Sequence, residues 1–417
     1  MQPMTDQRPP QSVLFLSPEP PYPLHGGGAF RIASLLHYFA QFADVDLILF
    51  SDSGKPAFLP PGLVRHQTVI PLPFHDKGTF ARYVRNARRA LQGVPPLIDR
   101  LAGHDAELAR AIEGKHYDMG IVEHFWCAPY LSQLARVCDQ TILDLHNIES
   151  ILHTRCAETG HGLVAAGQRR FANCARKLEA SLIPGYSRIL TTSAQDAAAV
   201  CELAPGTEIT VYPNALPDAP PPKISEEPVV VFSGNFEYHP NIDAVAWFAS
   251  QIWPRVRQSC PGLRLRLVGR GDRYIQHLLP SGLDIETTGP IEDARALIAA
   301  ARIVIAPLRA GSGTRIKILE AWAAARPVVA TSLAAEGLDC QGDRDLLIAD
   351  SADEFGTSIA RLNADPKLRE DVAANGRRLF EKRYTWQAAW RILDKIPLPA
   401  GTGTRDRYTE DSDANSR

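Results

Sequence analysis

The stretch from residue 303 to residue 331, IVIAPLRAGSGTRIKILEAWAAARPVVAT, constrains the fold more than any other part of the chain. Residues 303–306 form an apolar run that suits a buried parallel strand, and a glycine loop, a helix and another strand follow it. Gly311 and Gly313, on either side of Ser312, let the backbone turn tightly and approach a ligand closely. A strand–loop–helix–strand unit of this kind predicts an α/β protein.

The start of the helix in this stretch suits an anion. Free N–H groups and the helix dipole favour a phosphate there, and Ser312 or Thr314 can cap the helix. Arg315 and Lys317 add positive charge, and Glu320 lies one turn beyond Lys317 on the same side. The pattern therefore indicates a site for a phosphorylated ligand that carries sugar hydroxyls.

Composition narrows the class of protein. A chain of 417 residues has room for two domains, and 45% hydrophobic with 22% charged residues is typical of a globular protein. A net charge of −2 gives no reason to expect a nucleic-acid partner. Seven cysteines without a CxxC pair predict reduced thiols in the cytoplasm and argue against a zinc site. We find no apolar run of the ~18 residues that a membrane span needs. We expect no secretory signal, because the first residues lack a basic start followed by an apolar core.

Strands alternate with helices in both halves, which predicts two doubly wound α/β domains. Prolines and charges between residues 213 and 228 mark a linker. The predicted divisions are an N-terminal domain at 1–213, a linker at 214–228, a C-terminal domain at 229–384, a last helix at 385–397 and a disordered tail at 398–417.

Two features of the N-terminal half lie where doubly wound sheets bind ligands, at the carboxyl ends of strands. Gly26, Gly27 and Gly28 fall in an enlarged loop after the first strand. They do not form the GxGxxG dinucleotide fingerprint, so they are either a flexible loop or a point of ligand approach. His124 and His146 each follow a later strand, and each is either a functional residue or a hydrogen-bonded structural one.

Residues 79–100 predict an arginine-rich helix with two interpretations. Its apolar stripe comprises Phe80, Tyr83, Val84, Ala87 and Leu91, and its arginines, Arg82, Arg85, Arg88 and Arg89, lie mostly off that stripe. The simpler interpretation is a helix packed on its apolar stripe. The alternative is a basic amphipathic helix resting on an anionic membrane surface.

Four segments resemble one known family. They are PPYPLHGGGAFR, YPNAL, VVFSGNFEYHPNIDA and PLRAGSGTRIKILEAWAAARPVV. Together they are similar to the N-terminal glycine loop, the interdomain segment, the first donor-domain strand and the nucleotide-sugar motif of the GT-B glycosyltransferases. The resemblance is to the retaining family 4, also called glycosyl transferases group 1, over about residues 13–393.

The resemblance implies a GT-B fold, with two Rossmann-like domains facing a cleft and a C-terminal helix crossing back to the N-terminal domain. The N-terminal half would bind the acceptor, with Gly26, Gly27 and Gly28 at the cleft, and the C-terminal half a nucleoside diphosphate sugar. Gly234 and Asn235 fall in the first donor loop. Glu320 matches the glutamate that holds the ribose hydroxyls. No metal and no further cofactor are expected.

The sequence departs from the family pattern at the diphosphate. Ser312 stands where the family has a glutamate, and residues 235–241 lack its usual Arg and Lys. We therefore expect Arg315 and Lys317 to neutralise the diphosphate, together with the backbone of Gly311, Ser312, Gly313 and Thr314. His124 aligns loosely with a histidine that some members place near the sugar, which makes it the third candidate catalytic residue.

The expected function is retaining transfer of a sugar from a nucleotide sugar to a carbohydrate or lipid-linked acceptor, in glycan or polysaccharide synthesis. We expect the protein in the cytoplasm, and at the inner membrane face if helix 79–100 binds lipid. A non-catalytic nucleotide-sugar-binding or scaffold protein, an epimerase and a phosphorylase of the same fold remain alternatives. The two departures from the family pattern keep the non-catalytic alternative open.

Overall fold

The computed structural model describes residues 11–73, 79–291, 293–311 and 316–396. Its strands form two sheets. The first sheet contains β1 Gln11–Ser17, β2 Ala43–Ser51, β3 His66–Pro71, β4 Tyr117–Glu123, β5 Cys138–Asp144, β6 Arg188–Thr191 and β7 Ile209–Val211. The second contains β8 Glu227–Ser233, β9 Arg264–Val268, β10 Ile285–Thr287, β11 Ala301–Ala306, β12 Val328–Ala330 and β13 Leu347–Ile348.

The helices alternate with these strands. In the first half they are α1 Gly27–Phe39, α2 Thr79–Gln92, α3 Pro96–Leu101, α4 Asp105–Ile112, α5 Leu131–Leu134, α6 Glu149–Thr159, α7 Gly162–Leu182 and α8 Ala194–Leu203. In the second half they are α9 His239–Trp247, α10 Trp253–Ser259, α11 Arg295–Ala300, α12 Ile316–Ala323, α13 Ser332–Ala335, α14 Ala352–Ala364, α15 Pro366–Arg383 and α16 Trp386–Leu393.

Both sheets are parallel and doubly wound, as the sequence predicted. The strand orders are β3-β2-β1-β4-β5-β6-β7 and β10-β9-β8-β11-β12-β13. The direction of winding reverses between β1 and β4 in the first sheet and between β8 and β11 in the second. Ligands of doubly wound sheets bind at such switch points, beyond the carboxyl ends of the strands. The fold therefore provides one candidate site in each domain.

Burial explains which strands could be read from the sequence. The predicted run at 303–306 forms the last four residues of β11, and each of them is at most 1% exposed. The edge strand β3 was missed, because most of its residues are partly or fully exposed and form no apolar run. Helix α6 was also missed, because two of its four buried residues are the polar Glu149 and Ser150, so no apolar stripe marks it.

The arginine-rich segment differs from the simpler prediction. It forms two helices, α2 and α3, separated at Gly93, which has a φ of 72°. Val84 and Leu91 are 54% and 82% exposed, whereas Arg89 is buried and its Nε donates to Asp99 at 2.6 Å. The prediction of a helix packed on its whole apolar stripe is therefore wrong at Val84 and Leu91. The side chains of residues 79–83 lie outside the described part.

The last helix, α16, crosses back to the N-terminal domain, as the resemblance implied. Trp386 and Leu393 pack in one cluster with the buried face of α1, and Trp390 Nε1 donates to the carbonyl oxygen of Ser34 at 3.1 Å. The backbone of Leu216 exchanges hydrogen bonds with Tyr384, which lies just before α16, and with Trp386, the first residue of that helix. The first residues of the predicted linker are thus fixed against the end of the chain's second half.

The domain bounds assigned from sequence stay predictions, and the tail assigned to 398–417 lies outside the described residues. Among the helices that the structure describes, none is both long enough and apolar enough to cross a membrane.

We predict that Trp386→Ala lowers the free energy of unfolding by ~3–5 kcal/mol, because it removes a large buried side chain and leaves a cavity. Trp386 is 7% exposed, and its Nε1 donates to the carbonyl oxygen of Ala215 at 3.2 Å. Urea unfolding followed by circular dichroism measures the change. Phe58→Ala, at a residue 88% exposed, is the matched control and should change stability little. Equal stabilities of the two variants would contradict the prediction.

Candidate active site in the interdomain cleft

We call the C-terminal domain and its side of the cleft the donor domain and the donor side, after the ligand that the sequence predicts there. The donor side is built at the carboxyl ends of β8 and β11. Helix α12 follows β11, and the buried Gly311 before it has a φ of 119°, a backbone conformation that favours glycine. Ser312, Gly313, Thr314 and Arg315 lie outside the described residues. Their predicted roles in capping the helix and binding the diphosphate therefore stay predictions.

Lys317 is held in a fixed position at this edge. Its Nζ donates to Asn241 Oδ1 at 2.8 Å and lies 4.5 Å from the centre of the Phe232 ring. Asn241 in turn donates through Nδ2 to the carbonyl oxygen of Asn235 at 2.9 Å. This chain of contacts ties α12 to the loop after β8, so the sequence-predicted Lys317 and Asn235 are brought together. It also places a cation at the switch point of the second sheet.

The glycines of this edge allow two loops to pack closely. A Cβ on Gly269, whose φ is 138°, would lie 2.0 Å from the carbonyl oxygen of Gly234. A Cβ on Gly234 would lie 2.9 Å from the side chain of Asn241, and one on Gly271 the same distance from the backbone nitrogen of Glu237. Gly269 and Gly271 are therefore glycine because the loops after β8 and β9 touch, and Gly234 leaves room for the Asn241 side chain. The predicted ligand role of Gly234 stays a prediction.

Glu320 is half-buried on α12. Burial raises the pKa of its carboxyl to about 7; the positive charge of Lys317 opposes this shift and the negative charge of Asp293 adds to it. Near neutral pH the carboxyl is thus present in both protonation states. It can accept hydrogen bonds from a diol, or donate one when it is protonated.

We call the N-terminal side of the cleft the acceptor side, after the ligand that the sequence predicts there. On this side, His124 directly follows β4 with a φ of 63°, in the left-handed region that is strained for a residue with a side chain. Its ring stacks on the ring of Trp126, with the two centroids 4.1 Å apart. Its centroid also lies 3.5 Å from that of the His146 ring. The two histidines predicted at neighbouring strand ends are therefore in contact at one edge of the sheet. We call His124, Trp126 and His146 the ring stack.

A buried charge network lies beneath the ring stack. Arg31 of α1 donates to both carboxylate oxygens of Asp144, at 2.5 and 2.7 Å, and its Nη1 donates to the carbonyl oxygen of Tyr212 and to Asn214 Oδ1. His146 Nε2 lies 2.9 Å from Glu123 Oε2 and 3.3 Å from Asp144 Oδ2. The network joins α1, the ends of β4 and β5, and the start of the linker.

Burial and neighbouring charges set the protonation states of this network. Burial, reinforced by the negative charge of Asp144, raises the pKa of Glu123 well above its ordinary value. Burial alone would also raise the pKa of Asp144, but the Arg31 guanidinium overcomes that effect and holds it below the ordinary value. Burial, with the nearby His124, lowers the pKa of His146 to about 4. At neutral pH, Arg31 and Asp144 are charged and His146 is neutral, while Glu123 keeps its proton to a higher pH than an ordinary glutamate does.

Glu123, Asp144 and His146 also have ligand-type atoms that all lie within 4.8 Å of one another. However, both oxygens of Asp144 already accept hydrogen bonds from Arg31. A cation placed here would lie next to the guanidinium, which would repel it. The arrangement suits a hydrogen-bonded charge network better than a metal site.

The triple glycine packs against both sides of the cleft. Gly26 has a φ of 86°, and α1 begins at Gly27. A Cβ on Gly28 would lie 1.8 Å from Glu19 Oε1 and 3.2 Å from His124 Nε2, and one on Gly27 would lie 3.1 Å from Ile316 of the other domain. A side chain at position 28 would displace the Glu19 carboxylate, and one at position 27 would press on Ile316. That a ligand also approaches these glycines stays a prediction.

Glu19 adds a carboxylate to the ring stack. Its Oε1 lies 3.4 Å from His124 Nε2. Burial alone would raise the pKa of Glu19, but its neighbours, His124 first and then His146 and Arg270, lower it. Arg270 belongs to the donor domain, so groups of both domains influence Glu19.

The two domains are joined directly by Arg155 of α6. Its guanidinium donates to the carboxylate of Glu336 at 2.6 and 2.9 Å and to the carbonyl oxygen of Gly311 at 2.9 Å. Sequence reasoning assigned no role to Glu19, Arg31 or Arg155. Arg31 offered a signal, since a charged residue interrupts the apolar face of α1; nothing in the local sequence distinguishes Arg155.

Comparison with known families finds a match in the C-terminal domain. Residues 227–365, which include the donor side, match the sequence model of the glycosyl transferases group 1. The chain has the GT-B fold. The resemblance read from the four sequence segments is thereby confirmed, while the assignment to family 4 in particular stays a prediction. A curated relative, an uncharacterized 44.6 kDa protein in the cps region of Klebsiella pneumoniae, is 24% identical over 163 residues. The match covers 37% of this chain and only 42% of that relative's length.

Solved GT-B structures match over nearly the whole chain. Sucrose-phosphate synthase from Thermosynechococcus elongatus superimposes with a TM-score of 0.71 at 16% identity, covering 92% of this chain and 98% of that one. HepE of Anabaena, solved with UDP and glucose, gives 0.60 at 17% identity, with coverages of 92% and 98%. A variant of S. aureus TarM, solved with Fondaparinux, alpha-GlcNAc-glycerol and UDP, gives 0.63 at 10% identity, with coverages of 92% and 99%. At these identities the likeness is one of fold.

We predict that the free energy of unfolding of Glu320→Gln increases relative to that of the wild type as pH rises from about 4.5 to about 7. In this window the folded protein retains a proton on Glu320 that the unfolded chain, with an ordinary value of 4.5, has released. Folding stability therefore falls as pH rises through the window. Glutamine cannot ionise, so the variant does not lose folding stability in this way.

Thermal unfolding of both proteins across this pH range gives this difference in stability directly. Glu202→Gln, at an exposed position, is the matched control and should follow the wild type at every pH. A gap between Glu320→Gln and the wild type that does not change with pH would show that Glu320 titrates at its ordinary value.

Proposed function

We propose that the protein transfers a sugar from a nucleoside diphosphate sugar to an acceptor hydroxyl, with retention of anomeric configuration. One observation carries the proposal: the start of α1 lies between the two faces. Gly28 approaches His124 of the ring stack, and Gly27 approaches Ile316, the first residue of the helix that carries Lys317 and Glu320. The group 1 match over residues 227–365 supports a donor site on the face that includes this helix.

In this proposal the ribose hydroxyls bind to Glu320, and the diphosphate lies at the start of α12. Gly311, Ser312, Gly313 and Thr314 offer backbone N–H groups there, and Arg315 and Lys317 supply positive charge. Because Asn241 already holds Lys317 in place, its charge needs little reorganisation when the leaving diphosphate develops its own. The UDP bound to HepE and TarM makes uridine diphosphate sugars the first donors to test.

The proposed reaction breaks the bond between the anomeric carbon and the diphosphate oxygen. The acceptor oxygen forms its bond to that carbon from the same face, and its proton passes to a phosphate oxygen. In this proposal His124, whose Nε2 lies 3.4 Å from Glu19 Oε1, hydrogen-bonds a sugar hydroxyl. Contact between the domains excludes water from the donor, and the reaction needs no metal ion.

A non-catalytic nucleotide-sugar-binding or scaffold protein is the second candidate. It is favoured by Ser312 in place of the family glutamate and by the missing Arg and Lys in residues 235–241. Both candidates share the donor site, so only turnover separates them. The relative from a cps region supports polysaccharide synthesis as the setting for either one.

We predict that the protein binds a nucleotide sugar and releases nucleoside diphosphate from it, in the presence of EDTA. Glu320→Ala removes the ribose contact and should weaken donor binding by ~10-fold or more, since a hydrogen bond to a charged group contributes about 1.5–3 kcal/mol. A thermal-shift screen of nucleotide sugars, UDP-glucose first, identifies the donor. A coupled assay then measures release of the diphosphate.

Glu286→Ala, at a partly buried position on β10, is the control for loss of a carboxylate outside the proposed site. Nucleotide-sugar binding with no turnover across plausible acceptors would support the non-catalytic protein. Turnover that disappears in EDTA would contradict the metal-free mechanism.

We also propose that α2 touches an anionic membrane surface, which would bring the cleft near a lipid-linked acceptor. The supporting observation is the exposure of Val84 and Leu91, at 54% and 82%, on the helix that also carries Arg85 and Arg88. Exposed apolar side chains among arginines suit the boundary between lipid headgroups and acyl chains. The buried thiols of Cys127, Cys138 and Cys260 support the reducing cytoplasm as the compartment.

We predict that the protein sediments with vesicles containing phosphatidylserine at low salt and is released as salt screens the charges. Leu91→Asp and Arg88→Glu should each reduce the bound fraction. Ile224→Asp, at an exposed apolar residue of the predicted linker, should leave it unchanged. Absence of binding by the wild type at low salt would rule out this contact.

A further inference from the structure

Arg155 belongs to the N-terminal domain, but its guanidinium bonds only to groups of the donor domain in the contacts above. Nη1 donates to Glu336 Oε2 at 2.6 Å and to the carbonyl oxygen of Gly311 at 2.9 Å, while Nη2 donates to Glu336 Oε1 at 2.9 Å. One side chain thus joins a charged side chain and the backbone of the loop entering α12. The paired geometry fixes the orientation of the guanidinium plane.

Helix α6, which carries Arg155, begins beside the ring stack. At its first residue, Glu149 Oε1 accepts a hydrogen bond from Trp126 Nε1 at 2.8 Å, and Trp126 stacks on His124. The next residue, Ser150, is anchored to α7 through Glu179 Oε1 at 3.1 Å. The helix therefore runs from the acceptor side of the cleft to the donor domain, and it packs on α7 along its length.

The partners of Arg155 lie at the carboxyl edge of the second sheet. Gly311 follows β11, and Glu336 follows α13, the short helix after β12. Thr331, which caps α13, also donates through Oγ1 to the carbonyl oxygen of Leu308 at 2.5 Å. Glu336 and Gly311 are thus parts of one connected edge, and Arg155 contacts both.

We propose that Arg155 is a positioning residue that couples closure of the two domains to the placement of Gly311 at the entrance to α12. When the domains meet, the ion pair with Glu336 orients the guanidinium, and the second bond of Nη1 fixes the Gly311 carbonyl. Arg155 and Glu336 are 24% and 32% exposed, so water competes for the pair and the contact can open. The consequence for catalysis rests on the proposed function; the coupling itself does not.

Three variants separate the ion pair from the backbone bond. Arg155→Ala removes both. Glu336→Gln removes the charge pair but leaves Arg155 able to donate to Gly311. The exchange variant, Arg155→Glu with Glu336→Arg, restores an ion pair across the cleft, but a carboxylate at position 155 cannot donate to the Gly311 carbonyl.

Two measurements on the full chain detect domain opening and loosening of the start of α12, and neither requires glycosyl transfer. Small-angle X-ray scattering reports domain opening as an increased radius of gyration. Hydrogen exchange of peptides covering α12 reports how firmly its entrance is held. Arg188→Ala, which removes an arginine paired with Glu208 inside the N-terminal domain, is the matched control and should change neither.

We expect Arg155→Ala to open the domains and to speed exchange in α12 by about tenfold. The exchange variant should keep the wild-type radius of gyration yet show the faster exchange, whereas Glu336→Gln should open the domains with a smaller effect on α12. Once a donor is known, Arg155→Ala should raise its KM more than it lowers kcat. Wild-type scattering and wild-type exchange in Arg155→Ala would overturn the proposal. Full protection of α12 in the exchange variant would overturn the role of the Gly311 bond.

Discussion

The acceptor side of the cleft depends on the buried ion pair between Arg31 and Asp144. Both residues are at most 1% exposed, and the guanidinium also bonds to the backbone of Tyr212 and the side chain of Asn214. A buried charge that loses its partner costs several kcal/mol, so α1, the end of β5 and the start of the linker are held in one arrangement. The ring stack rests on this network through His146, which the same surroundings keep neutral.

The donor side holds its charges differently. Lys317 is fixed by one hydrogen bond and the face of the Phe232 ring, while Glu320 stays half-buried with a pKa raised to about 7. Arg155 then links this side to α6, and α6 begins beside the ring stack. The contact across the cleft is thus a partly exposed ion pair, whereas the network beneath the ring stack is buried within the N-terminal domain.

Sequence reasoning succeeded where local pattern and burial agree. The strand at 303–306 is apolar because both faces of β11 are covered, and His124 and His146 could be placed together because parallel strands end at one edge. It failed for α2, where an amphipathic pattern suggested packing at Val84 and Leu91 but tertiary structure left both exposed. The pattern shows that the helix is amphipathic, but it does not show which face packs against the rest of the protein.

The sequence by itself determined the alternation of strands and helices, the glycine loops at the strand ends and, through its motifs, the resemblance to GT-B glycosyltransferases. Only the tertiary structure decided which charges meet. Arg155 and Glu336 are 181 residues apart, and Arg31 and Asp144 are 113 apart, so no local periodicity connects them. The neutral state of His146 and the raised pKa of Glu320 follow from burial, and burial exists only once the two sheets and their helices have packed.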